Sequence, residues 1–367
     1  MSQLPRRASA ALASLVVVLG LAACAPASAT SSGGESVDCS AAVATPLSEI
    51  AESSGDATGP ATACLVDSDV PAPQVAPEPE LPATVTDVQG TTVTVTDTSR
   101  ILALDVSGTL ASTVYSLGLG DSLVGRDVAT SFPGSDELPL VTGSGHDLNG
   151  EAILGLAPTV LLTDSSVGPW DTVLQVRDAG IPVVVVTPER SMDNVGDLTM
   201  AIATALGVPE AGEALVDEVD RRLDEVQDQI DRIAPAAADD KVRMIFLYVR
   251  GAANVYYVFG EGSGADSLIT RLGGIDVAAE VGIANARPIT AESLVAAAPD
   301  LVLVMTKGLA SVNGVDGLLE AVPALAQTPA GADRRIVDMA DSEILGFGPR
   351  SPAVLEALAR AIYAPAS

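Results

Sequence analysis

The stretch PEAGEALVDEVDRRLDEVQDQIDRI, residues 209–233, decides how the chain divides. Leu215, Val219, Leu223, Val226, Ile230 and Ile233 recur at steps of four, four, three, four and three. That spacing lays one apolar stripe along an otherwise charged rod, the mark of a single long amphipathic helix.

The pattern differs on either side of the rod. Before it stand RILALD, TVLLTD and PVVVVT; after it stand RMIFLYV, NVYYVFG, LVLVMT and RIVDM. Continuous apolar runs of this kind suit parallel strands covered by helices on both faces. Helical stretches alternate with them, which predicts α/β architecture. An internal echo links the two sides. NGEAILGLAPTVLLT aligns without gaps with the segment beginning at Thr290, pairing Asn149 with Thr290, Glu151 with Glu292 and Pro158 with Pro299. Each copy reads as N-cap, acidic first turn, helix, Ala-Pro break and buried strand. The expectation is two Rossmann-like α/β lobes with mostly parallel sheets, joined by one long bridging helix. Ligand sites in such proteins fall between lobes.

The leader reads differently. Arg6 and Arg7 precede a short apolar run that ends in Leu-Ala-Ala-Cys at Cys24. The run is too short for a spanning helix and has the layout of an export signal. Its end resembles a bacterial lipobox, which implies cleavage before Cys24 and lipid attachment there. Residues 25 to about 80 are rich in Ala, Ser, Thr, Gly and Pro. They read as an unstructured tether stiffened by proline. Cys39 and Cys64 fall in it and form a candidate disulfide for an extracytoplasmic protein. The organisation expected is therefore a signal peptide at 1–23, a tether at 24–80, an N-terminal lobe at 81–208 led by a β-hairpin around Gln89-Gly90, a bridging helix at 209–234, and a C-terminal lobe at 235–367.

The net charge is −29, and Lys241 and Lys307 are the only lysines. Such a surface repels nucleic acid and anionic lipid. His146, in GSGHDLNGEAILGLAPTVLL, is the single histidine. A lone histidine is most often an ordinary surface or core residue, so composition alone assigns it no role.

Taken together, lipobox, tether, two α/β lobes and one bridging helix resemble the substrate-binding lipoproteins of ABC importers. The subgroup is the class III one that handles siderophores, cobalamin and haem. Within it, GHDLNGEAILGLAPTVLL, YVRG, GEGSGADSLITRLGG and EILGFGPRSP resemble haem-binding proteins of the HmuT type over roughly residues 99–364. The resemblance implies ferric haem b as transported cargo, bound between the lobes and delivered to an ABC permease and its ATPase. It implies iron ligation by His146 and Tyr248, with Arg250 in support. It also implies permease docking through Glu151 and Glu292, and a lipid-anchored site outside the cell membrane.

The chemistry is compatible. Ferric iron favours oxygen donors, and tyrosine is an established axial haem ligand. A phenol with a pKa near 10 needs a cation to ionise at neutral pH. Iron supplies most of that help. Arg250, on the same strand face as Tyr248 at i+2, adds to it or meets a haem propionate instead. Neutral imidazole suits the other face of the iron. Asp147 is the adjacent candidate to orient it. Met305 is a minor pocket candidate, and core packing explains it equally well. Glu151 and Glu292 suit helix N-termini with or without docking.

GEGSGA, residues 260–265, fits a dinucleotide fingerprint only loosely. A pocket loop whose helix start meets an anion is the better reading. Two alternatives stay open. One is a ferric siderophore or cobalamin as cargo. The other is an exported enzyme using His146 with Asp147; the chain has no nucleophile motif to support it, and a non-enzymatic protein is expected.

Overall fold

The computed structural model describes residues 46–53, 55–65, 70–73, 77–143 and 145–365. Cys24 and Cys39 lie outside them. Cys64 is disulfide-bonded.

Strand β1 (Ala61–Ala63) falls inside the expected tether. The described residues of 46–53 and 55–65 are packed rather than loose. Leu47 is buried in the main core. The Ser53 N–H donates to the Ile233 carbonyl at 2.8 Å, and the Arg335 guanidinium donates to the Gly55 carbonyl at 2.5 Å. Backbone pairing and a few anchors hold the segment. It lacks an apolar run, so its composition reads as disorder.

The hairpin of β2 (Ala83–Thr86) and β3 (Thr92–Val95) turns at Gln89-Gly90. Asp87 Oδ1 accepts from the N–H groups of Gln89 and Thr91, which fixes the turn. Next come β4 (Ile101–Leu104), β5 (Val160–Thr163) and β6 (Val183–Val185), a parallel sheet in that order. Every residue of these three strands is buried, as their unbroken apolar runs require.

The second lobe is built on β7 (Arg243–Arg250), β8 (Val255–Phe259), β9 (Ile275–Asp276), β10 (Ala286–Pro288), β11 (Leu301–Met305) and β12 (Ile336–Met339). The order is β1-β12-β11-β7-β8-β10, with β9 also on β7. The pairs β1–β12, β12–β11, β11–β7 and β7–β9 are parallel; β8 runs antiparallel to both β7 and β10.

The bridging helix runs Pro209–Ile233. All six stripe residues are buried, and the helix packs on helices from both lobes, Val195–Ala205 and Ser351–Tyr363. One core cluster runs from Ile101 and Leu162 through Leu215 and Ile230 to Phe246 and Leu358. The fold is therefore two α/β lobes on a shared spine. No helix among the described residues is long and apolar enough to cross a membrane.

The internal echo extends into the backbone. Asn149 and Thr290 each accept an N–H from three residues on, Ala152 and Ser293, both at 3.1 Å. The chain leaves each helix through a left-handed alanine, Ala157 and Ala298 (φ 45° and 42°), just before the paired prolines. Strands β5 and β11 follow at the same spacing.

Candidate functional site

A cleft of about 1140 Å³ lies between the lobes. That slightly exceeds the roughly 300–1,000 Å³ common for small-molecule sites. His146 lines one wall; Tyr248, Arg250 and Met305 line the other. On the second wall these groups come from the C-terminal ends of parallel strands, where open α/β sheets place their ligands.

His146 sits in a tight loop. The Gly143 N–H donates to the Asp147 carbonyl at 2.7 Å, and Asn149 N–H donates to the Val141 carbonyl at 2.9 Å. Gly145, just before the histidine, has φ 76°, a conformation suited to glycine. Val141 in turn bonds the Arg126 carbonyl, which ties the loop to the segment carrying Asp127. Both oxygens of Asp127 lie 3.1 Å from His146 Nδ1. The carboxylate is fully buried and the imidazole one-third exposed. The hydrogen bond to Asp127 raises the imidazole's pKa, and partial burial opposes it. Asp147 is not the partner. Its side chain is exposed, and the partner, Asp127, lies nineteen residues before the histidine with no local motif to mark it.

Tyr248 lies half-buried on β7, stacked on Phe259 with centroids 5.5 Å apart and planes 8° from parallel. The Arg250 guanidinium carbon stands 4.4 Å over the Tyr248 ring. Arg250 also pairs with Asp341 at 2.8 Å and lies 3.7 Å from the Met305 sulfur. The expected i, i+2 sharing of one strand face is thus realised, but the cation lies over the ring and is tied to Asp341.

Three further cations line the cleft, Arg126, Lys307 and Arg350. Arg126 and Lys307 belong to no motif, and Arg350 falls in EILGFGPRSP without that motif assigning it a role, so only the fold brings all three to the cleft. They matter because acidic residues outnumber Lys and Arg by 48 to 19 in this chain.

Glu151 and Glu292 lie elsewhere. Both are exposed on the first turns of their helices and neither lines the cleft. GEGSGA does not line it either, and the anion-loop reading fails there. Asp266 already accepts from the N–H groups of Gly262 (2.9 Å) and Gly264 (3.1 Å), the donors an anion would need. Gly264 has φ 88° and faces the Arg190 carbonyl and the Phe347 ring so closely that a Cβ would collide with both. Gly264 serves the packing of the two lobes.

Comparison with known proteins gives consistent matches. A family profile described as periplasmic binding protein matches residues 106–343. A cobalamin-binding protein of Halobacterium salinarum is 27% identical over 320 residues, covering 81% of each chain. An uncharacterised ABC transporter substrate-binding lipoprotein of Bacillus subtilis, YvrC, is 26% identical over 288 residues, covering 77% of this chain and 86% of that one. The crystal structure of the haem-binding protein HmuT is 38% identical, covering 85% of this chain and 99% of that one, with a TM-score of 0.78. HmuT has also been solved with single alanine replacements of a histidine, a tyrosine and an arginine.

Proposed function

The chain belongs to the periplasmic binding protein family, whose members bind and deliver substrates rather than transform them, and we propose that it captures ferric haem between its lobes for an ABC importer. His146 binds one face of the iron and the Tyr248 phenolate the other. One observation carries this reading: a histidine and a tyrosine, one from each lobe, line a single cleft. A ferric ion ligated on both faces has no open position for oxygen chemistry, which suits a carrier.

The cleft's cations support haem further. Arg126, Lys307 and Arg350 suit two propionate carboxylates. Cobalamin presents mainly neutral amides at its edge and gains less from them. The histidine, tyrosine and arginine replaced in HmuT are the residue types found at His146, Tyr248 and Arg250, and the last two are likewise two positions apart.

Delivery needs a membrane partner. Glu151 and Glu292 provide one exposed carboxylate per lobe at equivalent helix starts, a two-point contact for permease arginines. A lipid on Cys24 would hold the protein at the outer face of the membrane without a spanning helix.

Cobalamin is the second reading, favoured by the name of the Halobacterium relative. Titration of the apo-protein with haemin and, separately, with cyanocobalamin distinguishes them. Haem carriage predicts a Soret band with tyrosinate charge-transfer bands, altered by His146→Ala and by Tyr248→Ala and unaltered by Tyr257→Phe. Cobalamin uptake with no haemin binding overturns it.

A further inference from the structure

We propose that Asp127 is a positioning residue for His146, fixing the imidazole's tautomer and ring angle so that Nε2 is the nitrogen offered to the cleft. The inference rests on the reading of His146 as an iron ligand. An ionised carboxylate can only accept hydrogen bonds. Nδ1, 3.1 Å from both Asp127 oxygens, must therefore carry the proton. The lone pair is left on Nε2. The arrangement matches the carboxylate–histidine–metal relay that holds ligating histidines and raises their basicity.

The surroundings of Asp127 favour this role over a purely structural one. Its Oδ1 accepts from the Ala129 N–H at 2.7 Å, and its carbonyl from the Thr130 N–H at 3.2 Å. A neutral asparagine would close that turn equally well. A fully buried negative charge is costly unless it is paired. The imidazole is the group within reach that uses the charge. The backbone between Arg126 and Leu140, and between Thr142 and Leu148, locks the two segments in register. The pair is thus set before any ligand arrives.

Asp127→Asn keeps the shape and the turn and removes the charge; Asp127→Ala also frees the ring. The mature protein loaded with ferric haemin is measured for its absorption and electron paramagnetic resonance spectra. Haem loss to excess apomyoglobin gives the dissociation rate. Asp127→Asn is expected to speed haem loss about tenfold, within the range seen for such supporting partners of metal-ligating histidines. Its spectrum should move toward that of His146→Ala, with apo-protein melting unchanged. In a His146→Ala background Asp127→Asn should have no further effect, since its action runs through the ring. The proposal is overturned if Asp127→Asn behaves as wild type while His146→Ala does not, or if its effect is equally large without His146. If His146→Ala itself changes neither spectrum nor rate, the iron-ligand reading is what fails.

Discussion

Arg250 lies over the Tyr248 ring and is neutralised by Asp341. Without it, the carboxylate of Asp341 would stand near the phenol unopposed. That would oppose the anionic ligand proposed at Tyr248. Arg250→Ala should weaken haem binding by about 1–2 kcal/mol, the range of a desolvated cation–ring contact. Arg250→Lys should restore it only partly, because an ammonium lacks the planar face. Haemin titration reads both. Asp105 offers a different test. It is fully buried at the end of β4 beside Asp164 and Arg190. Burial, then Asp164, push its carboxyl up to about 6, with Arg190 pulling the other way. The folded protein therefore holds this proton more tightly than the unfolded chain. Stability falls as pH rises from about 4 to about 6, and the penalty is complete above that. Thermal melting against pH should show wild type losing ground to Asp105→Asn across that window, by on the order of 2–3 kcal/mol. A flat difference would remove Asp105 as the cause. The residues nameable from sequence were those in motifs, His146 in GHDLN and Tyr248 with Arg250 in YVRG. Asp127, Arg126 and Lys307 were not legible, because folding alone brings them to the cleft; Arg350 stood in the motif EILGFGPRSP, which did not reveal its place on the cleft wall.

Among the elements, the bridging helix was the most legible, since its stripe has a period that nothing else imitates. Leu223 is 6% exposed in that stripe. Leu223→Ala should cost about 2–4 kcal/mol through lost burial and the cavity left behind, read by denaturant unfolding. The glycine loop was the least legible. GEGSGA has the spacing of an anion-binding turn, but its donors are taken by Asp266, a residue that immediately follows the motif. Gly264→Ala should therefore destabilise the fold through the Arg190 and Phe347 contacts, by more than about 1 kcal/mol, without a specific loss of anion affinity. Strand β1 escaped notice for another reason. Three residues of Ala-Thr-Ala carry no apolar signal, and the strand exists because β12 offers it an edge.

At the scale of the whole molecule, the two lobes share a core through the bridging helix rather than hanging from a flexible linker. The N-terminal segment adds to this. It bonds the end of the bridging helix at Ser53, pairs with the second lobe at β1, and meets the first lobe where the Glu80 N–H donates to the Gly207 carbonyl at 2.7 Å. Small-angle scattering should thus show little change in radius on haemin binding. Glu151→Arg with Glu292→Arg should abolish haem uptake by cells and leave haem binding intact, because neither residue reaches the cleft. The proposed grip on one ferric haem, by His146 and Tyr248 from opposite lobes, is open to direct measurement. Its most direct test is the absorption and electron paramagnetic resonance spectrum of the haemin-loaded protein beside His146→Ala and Tyr248→Ala. Each replacement should remove one axial ligand and leave the signature of the other. Spectra that match wild type in both variants would contradict it.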